Sequence, residues 1–212
     1  MKYEEFRKVV EKYPVFGDWV FELTKTNPKS LRNNITDWIK KGYVIRLKQG
    51  LYTLRDKDRN CRLSSSYLAN QIYSPSYISL EYALQFYNLI PERVNEITSV
   101  TTKKTAEFSN SLGRFTYAHI KTELFSDYLS YNDSGALQYL IASPEKALLD
   151  FIYFKVRKVK NIEANIFESS YRMQNLEDID CTKLIKIAQK YKMRKVVDLA
   201  NTLVDYIQEE WK

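Results

Sequence analysis

Lys29, Arg32, Asn33, Thr36 and Lys40 recur at steps of three and four, so a helix over these positions carries them on one face, with Ser30 at its start. This is the equipment of a nucleic-acid reader. Lysine and arginine hold phosphates, arginine pairs with guanine, and an asparagine amide pairs with adenine. A second polar group, Arg46, Lys48 and Gln49, follows just before Gly50. At the tip of a hairpin it suits phosphate or the minor groove, where it positions a module more than it reads sequence. The plainer reading is an ordinary solvated cationic face beside a hairpin that only packs the domain.

Asp133, Glu145, Lys146 and Asp150 are the residues that could support cleavage chemistry, since metal-dependent phosphodiester hydrolysis needs clustered carboxylates and a nearby cation. Their spacing argues against it. Glu145 and Lys146 are adjacent at an expected helix start and would point in different directions, and Glu145 is explained as an acidic first-turn residue. His119 is the only histidine, which excludes a paired-histidine zinc motif, and no nucleophile elbow supports a triad built on it. The glycine patterns of phosphate-binding and dinucleotide-binding loops are missing from the sequence as well. No catalytic residue, metal or cofactor is expected, and the chain is read as a non-enzyme. Cys61 and Cys181 are read as free thiols.

The first group must be carried by a helix, and the sequence supplies its boundaries. Asn27-Pro28 is an N-cap followed by a proline at the first helical position, and Gly42 stands where a C-terminal glycine would stop the helix. Leu31, Ile35, Trp38 and Ile39 form its apolar stripe. Upstream, Tyr3, Phe6, Val9, Val10 and Tyr13 predict an amphipathic helix over 3–13 ended by Pro14, and a short helix is expected from about Asp18 to Thr24. Downstream the period becomes two: Tyr43, Ile45 and Leu47 alternate with Val44 and Arg46, Lys48-Gln49-Gly50 turns, and Leu51–Leu54 returns as a β-hairpin. This order predicts a winged helix-turn-helix domain over residues 1–60, its third helix entering the major groove. Charge agrees: residues 1–60 hold 14 basic and 8 acidic side chains, a net +6 of the chain's +7.

Residues 61–212 are expected to form a mixed α/β second domain with C-terminal helices, making the whole chain α+β. Helices over 63–73 and 77–87 are predicted as a tight pair, and strands over 96–102 and 115–120 are joined by a polar loop around Ser109 to Gly113. A third strand, 137–141, leads into Ser143-Pro144-Glu145, which starts a helix running through Phe154. Lys103 and Lys104 are either a secondary nucleic-acid contact or a solvated turn. The basic run 155–160 is a helix end, a linker or a further contact. Leu184, Ile187, Ala188 and Tyr191 form one helical stripe, and Val196, Leu199, Ala200, Leu203, Val204, Ile207 and Trp211 another, packing in the chain's own core or on a partner or dimer surface. The longest apolar run is four residues, against about 20 for a membrane span. Glu4 and Glu5 occupy the place of a signal peptide's hydrophobic stretch, so a cytoplasmic location is expected.

The segment Trp38–Tyr52 resembles the recognition-helix end and wing of the AbiEi-type antitoxins, transcriptional regulators of bacterial abortive-infection toxin–antitoxin systems. Further blocks occur in that family's order: Ser76–Leu84, Leu89–Glu92, Thr98–Thr105, Phe115–Lys121 and Ile141–Asp150. The resemblance spans roughly residues 3–155 and carries no motif beyond Phe154. It implies a cytoplasmic two-domain antitoxin (1–60 and 61–212) whose winged helix represses its own operon at inverted-repeat operator DNA; inverted repeats suit two copies of a protein, which leaves a dimer on DNA open. The second domain would counter a nucleotidyltransferase-like toxin without requiring a stable complex. Two other readings remain open: a metal-dependent nuclease targeted by a winged helix, and a winged-helix regulator or protein-interaction scaffold unconnected to a toxin.

Overall fold

A computed structural model describes residues 1–158 and 172–210. The chain is mixed α and β, with eight α-helices and two sheets among the described residues. The N-terminal part runs α1 (Tyr3–Val10), β1 (Phe16–Gly17), α2 (Val20–Thr24), α3 (Pro28–Lys40), β2 (Val44–Lys48) and β3 (Leu51–Leu54). Local signals account for the middle of this order. The Asn27 side chain accepts the backbone N–H groups of Lys29 and Ser30 at 3.0 and 3.3 Å, satisfying two donors that a helix start leaves free. Gly42 takes φ +69°, the left-handed conformation that lets the chain leave α3. The strands form an antiparallel sheet in the order β1-β3-β2, and β1 is an addition to the predicted hairpin. Phe6, Phe16, Leu31, Ile35, Trp38, Val44 and Leu54 make one apolar core, with the rings of Phe6 and Trp38 4.7 Å apart.

The second part contains α4 (Ser65–Ile72), β4 (Ser76–Ile78), α5 (Leu80–Phe86), β5 (Ile97–Thr101), β6 (Ala106–Asn110), β7 (Gly113–His119), β8 (Tyr128–Asn132), β9 (Gln138–Ala142) and α6 (Pro144–Lys158). Its six strands form a mixed sheet in the order β6-β7-β5-β4-β9-β8. The expected pair of helices over 63–73 and 77–87 is corrected: residues 76–78 are a strand, which sends α4 and α5 to different places. Ile78 pairs with Ser99 and Ser99 with Tyr117, so Tyr117 shares a face with Ile78, while Tyr77 points the opposite way. The Tyr117 hydroxyl donates to the Ala69 carbonyl of α4, and the Tyr77 hydroxyl donates to Asp150 of α6. Helices α4 and α6 therefore cover opposite faces of the sheet. The polar loop expected around Ser109 is corrected too: Ala106–Asn110 is an edge strand in a hairpin with β7.

Helices α7 (Cys181–Lys190) and α8 (Arg194–Glu210) pack on each other and on α6. Leu184, Ile187, Ala188 and Tyr191 are buried in the chain's own core, as are Val196, Ala200, Leu203 and Ile207. Trp211 and positions 159–160 of the basic run lie outside the described residues. Among the described residues no helix is long and apolar enough to cross a membrane.

Candidate nucleic-acid interface

Helix α3 is 13 residues long, or about 20 Å at the standard rise. Its buried side is Leu31, Ile35 and Trp38. The opposite side leaves Lys29, Ser30, Arg32, Asn33, Thr36 and Lys40 exposed together, as their spacing predicts. Asp37 is the helix's single carboxylate. No carboxylate among the described residues pairs with Lys29 or Lys40. Arg32 does have neighbours: Asp18 lies 3.8 Å away, both groups being well exposed, and its guanidinium sits 4.8 Å from the Phe21 ring centre. An exposed pair of this kind is weak and screened by salt, so it orients the guanidinium without consuming it. The Thr36 hydroxyl donates to the Arg32 carbonyl at 2.9 Å, so its proton is committed to the helix.

The hairpin is less free than its sequence suggests. The pairing register shifts between Arg46 and Lys48, making Leu47 an extra residue that turns out of the small sheet. Leu47 is buried in the core of the second part, and the Asn110 side chain donates to its carbonyl at 3.1 Å. Arg46 and Gln49 remain exposed, whereas Lys48 is half-buried with its ammonium 6.0 Å from the Phe108 ring centre. Burial, and then the charge of Lys103, hold the Lys48 pKa below the usual lysine value. Lys48 of the hairpin and the secondary candidate Lys103, separate in sequence, thus meet in space over two touching rings, with Lys104 next in the chain. The aromatic rings beneath them, Tyr73 and Phe108, carry no local sequence signal that marks them as partners of a lysine.

The carboxylates with cleavage potential are dispersed among other tasks. Asp133 accepts the backbone N–H groups of Gly135 and Leu137 in the turn between β8 and β9. Glu145 accepts from the Ser143 hydroxyl at 2.8 Å and pairs with Lys183 of α7 at 2.7 Å. Lys146 and Asp150 are an ion pair of 2.7 Å within α6, and both are fully buried. Asp150 also accepts hydroxyl protons from Tyr77, Ser79 and Tyr191, and Lys146 donates to the Tyr191 oxygen. Burial first, and the Asp150 charge second, push the Tyr77 and Tyr191 phenols well above their usual pKa, so both remain proton donors. This network ties β4, α6 and the end of α7 together. No group of three or more His, Cys, Asp or Glu side chains among the described residues is arranged to hold a metal. His119 is exposed, its Nδ1 2.9 Å from the Lys103 carbonyl.

Compared with known proteins, the chain matches no family model and no curated protein.

Proposed function

We propose that this chain is a DNA-binding transcriptional repressor of its own operon that also serves as an antitoxin against a nucleotidyltransferase-like toxin. The observation that carries the DNA-binding part is the outer face of α3, with two lysines, an arginine and an asparagine exposed on a helix fixed from behind by Trp38, Ile35 and Leu31. Three helices and a three-stranded antiparallel sheet around one small core support reading residues 1–60 as a winged helix-turn-helix. In that module Lys29, Arg32 and Asn33 lie near the N-terminus of the inserted helix, where base edges are met, and Lys40, Arg46 and Gln49 serve the phosphates. Two copies on an inverted repeat would present two such helices one turn of DNA apart. The antitoxin role of residues 61–212, the cytoplasmic setting and the toxin partner rest on the ordered resemblance between residues 3 and 155.

An electrophoretic mobility shift on the duplex upstream of the gene tests the first part. Wild-type protein should retard it in competition with scrambled duplex, and Arg32→Ala/Asn33→Ala should lose that preference while keeping its circular dichroism spectrum. Equal preference in the double variant would overturn the assignment of α3, and no retardation even at low salt would favour a protein-contact scaffold. For the second part, co-expression of this chain should relieve growth arrest by the product of a neighbouring nucleotidyltransferase-like reading frame. Continued arrest, or the lack of such a neighbour, would remove the antitoxin role.

A further inference from the structure

The junction between the hairpin and the six-stranded sheet concentrates cations without supplying carboxylates. Lys48 lies over Phe108, Lys103 lies 5.3 Å from the Tyr73 ring centre, and the two rings are in contact at 5.5 Å. No carboxylate among the described residues pairs with Lys48, Lys103 or Lys104. Glu107 is next to Phe108 in β6, but alternation turns it to the other face, where it pairs with Arg114 at 2.9 Å. Two like charges brought together on a hydrophobic platform repel each other, and an anion placed between them removes that repulsion.

The loop that presents the lysines is held from several sides. The Lys103 backbone N–H donates to the Thr101 hydroxyl at 3.1 Å, and the His119 ring contacts the Lys103 carbonyl. The Tyr73 hydroxyl donates to the Lys104 carbonyl at 3.1 Å, and the His119 backbone N–H donates to the Thr105 hydroxyl at 3.3 Å. Across the junction, Leu47 buried in the larger core and the Asn110 bond fix β2 against β6. The backbone that carries these lysines is therefore held in place by the fold itself.

We infer that Lys48, Lys103 and Lys104 form a phosphate clamp for the duplex DNA backbone, through which the second part of the chain shares in DNA binding. The inference rests on the DNA-binding reading of α3 and extends it: α3 supplies base contacts, and the clamp supplies sequence-independent affinity at a fixed offset from it. Each neutralised phosphate contributes about 0.9 to the slope of log affinity against log salt.

Fluorescence anisotropy with the upstream duplex and a scrambled duplex over a salt series separates the two roles. Lys48→Gln/Lys103→Gln removes both charges while keeping polar, hydrogen-bonding side chains, and its thermal melt should overlay the wild type. It should lower the salt slope by about two and weaken binding to both duplexes alike, leaving their affinity ratio unchanged. Arg32→Ala should instead collapse that ratio. An unchanged slope in the lysine variant, with the Arg32 effect intact, would overturn the clamp and leave the α3 reading standing. A loss of affinity at constant slope would also overturn it, as the mark of a structural effect. If wild-type protein binds neither duplex at low salt, both proposals fall.

Discussion

Helices α3 and α6 begin alike and use their lysines in opposite ways. Each opens on a polar residue followed by proline, Asn27-Pro28 in one and Ser143-Pro144 in the other, and each carries a cation in its first turn. Lys29 is exposed and has no carboxylate partner among the described residues; Lys146 is fully buried, with Asp150 and Tyr191 as partners. The difference lies in what surrounds the first turn. One side of α3 packs on the small core and the other meets solvent, whereas α6 lies between the six-stranded sheet and helices α7 and α8. A cation whose charge is already satisfied inside the fold works for the fold. One left exposed on a rigid face is available to an external anion. Within a single chain, burial and pairing separate the lysines that build the structure from those that could bind a partner.

The largest expected effect probes the buried side of this contrast. Lys146→Met leaves Asp150 buried without its charged partner and should cost about 3–5 kcal/mol of stability by urea unfolding, and Lys146→Met/Asp150→Leu should not restore it, because the buried Tyr77, Ser79 and Tyr191 hydroxyls then lose their acceptor. Under conditions where the single variant stays folded, its affinity for the upstream duplex should match the wild type. A change in affinity at unchanged stability would break the contrast. On the exposed side, Arg32→Ala should lower discrimination in favour of the upstream duplex by about 1–3 kcal/mol in competition binding while leaving the melting temperature nearly unchanged. A smaller effect belongs to the cap: Asn27→Ala removes the acceptor for the Lys29 and Ser30 N–H groups and should cost about 1 kcal/mol in denaturant unfolding.

The smallest concerns pH. Burial alone would raise the Asp58 pKa, but hydrogen bonds from Tyr3 and Arg55 and the charges of Arg55 and Arg7 outweigh it and hold the carboxyl below its usual value. A folded-state pKa below the unfolded one means stabilisation that is present above the unfolded value, about 3.9, and lost as pH falls through the folded value. Asp58→Asn should therefore flatten the acid limb of a stability-versus-pH curve below about pH 4. An acid limb of unchanged steepness would contradict that assignment.

Where the determinants are local, the sequence was legible. The capped start of α3, its polar face, the stop at Gly42 and the β2–β3 hairpin all follow from contacts within a few residues. The strands that escaped notice lack such signals. β4 is three residues long and buried on both faces, and Ile78, Tyr82 and Phe86 repeat through it at a helical interval into α5. β6 is an edge strand whose Glu107 and Ser109 face solvent, so its pattern reads as a loop. β8 is exposed along most of its length. The burial of Lys146 depends on Tyr191, 45 positions away, and the position of Lys48 depends on Phe108. Neither partner is marked by spacing, because tertiary contacts of this kind are made by the sheet order and leave no period in the chain.

The most direct test of the central claim is to titrate the upstream duplex into isotope-labelled protein and follow backbone amide resonances. Shifts are expected to concentrate at residues 29–40, 46–49 and 103–104, with the amides around Lys146 and Asp150 unmoved. Shifts centred on α7 and α8, with α3 silent, would contradict it.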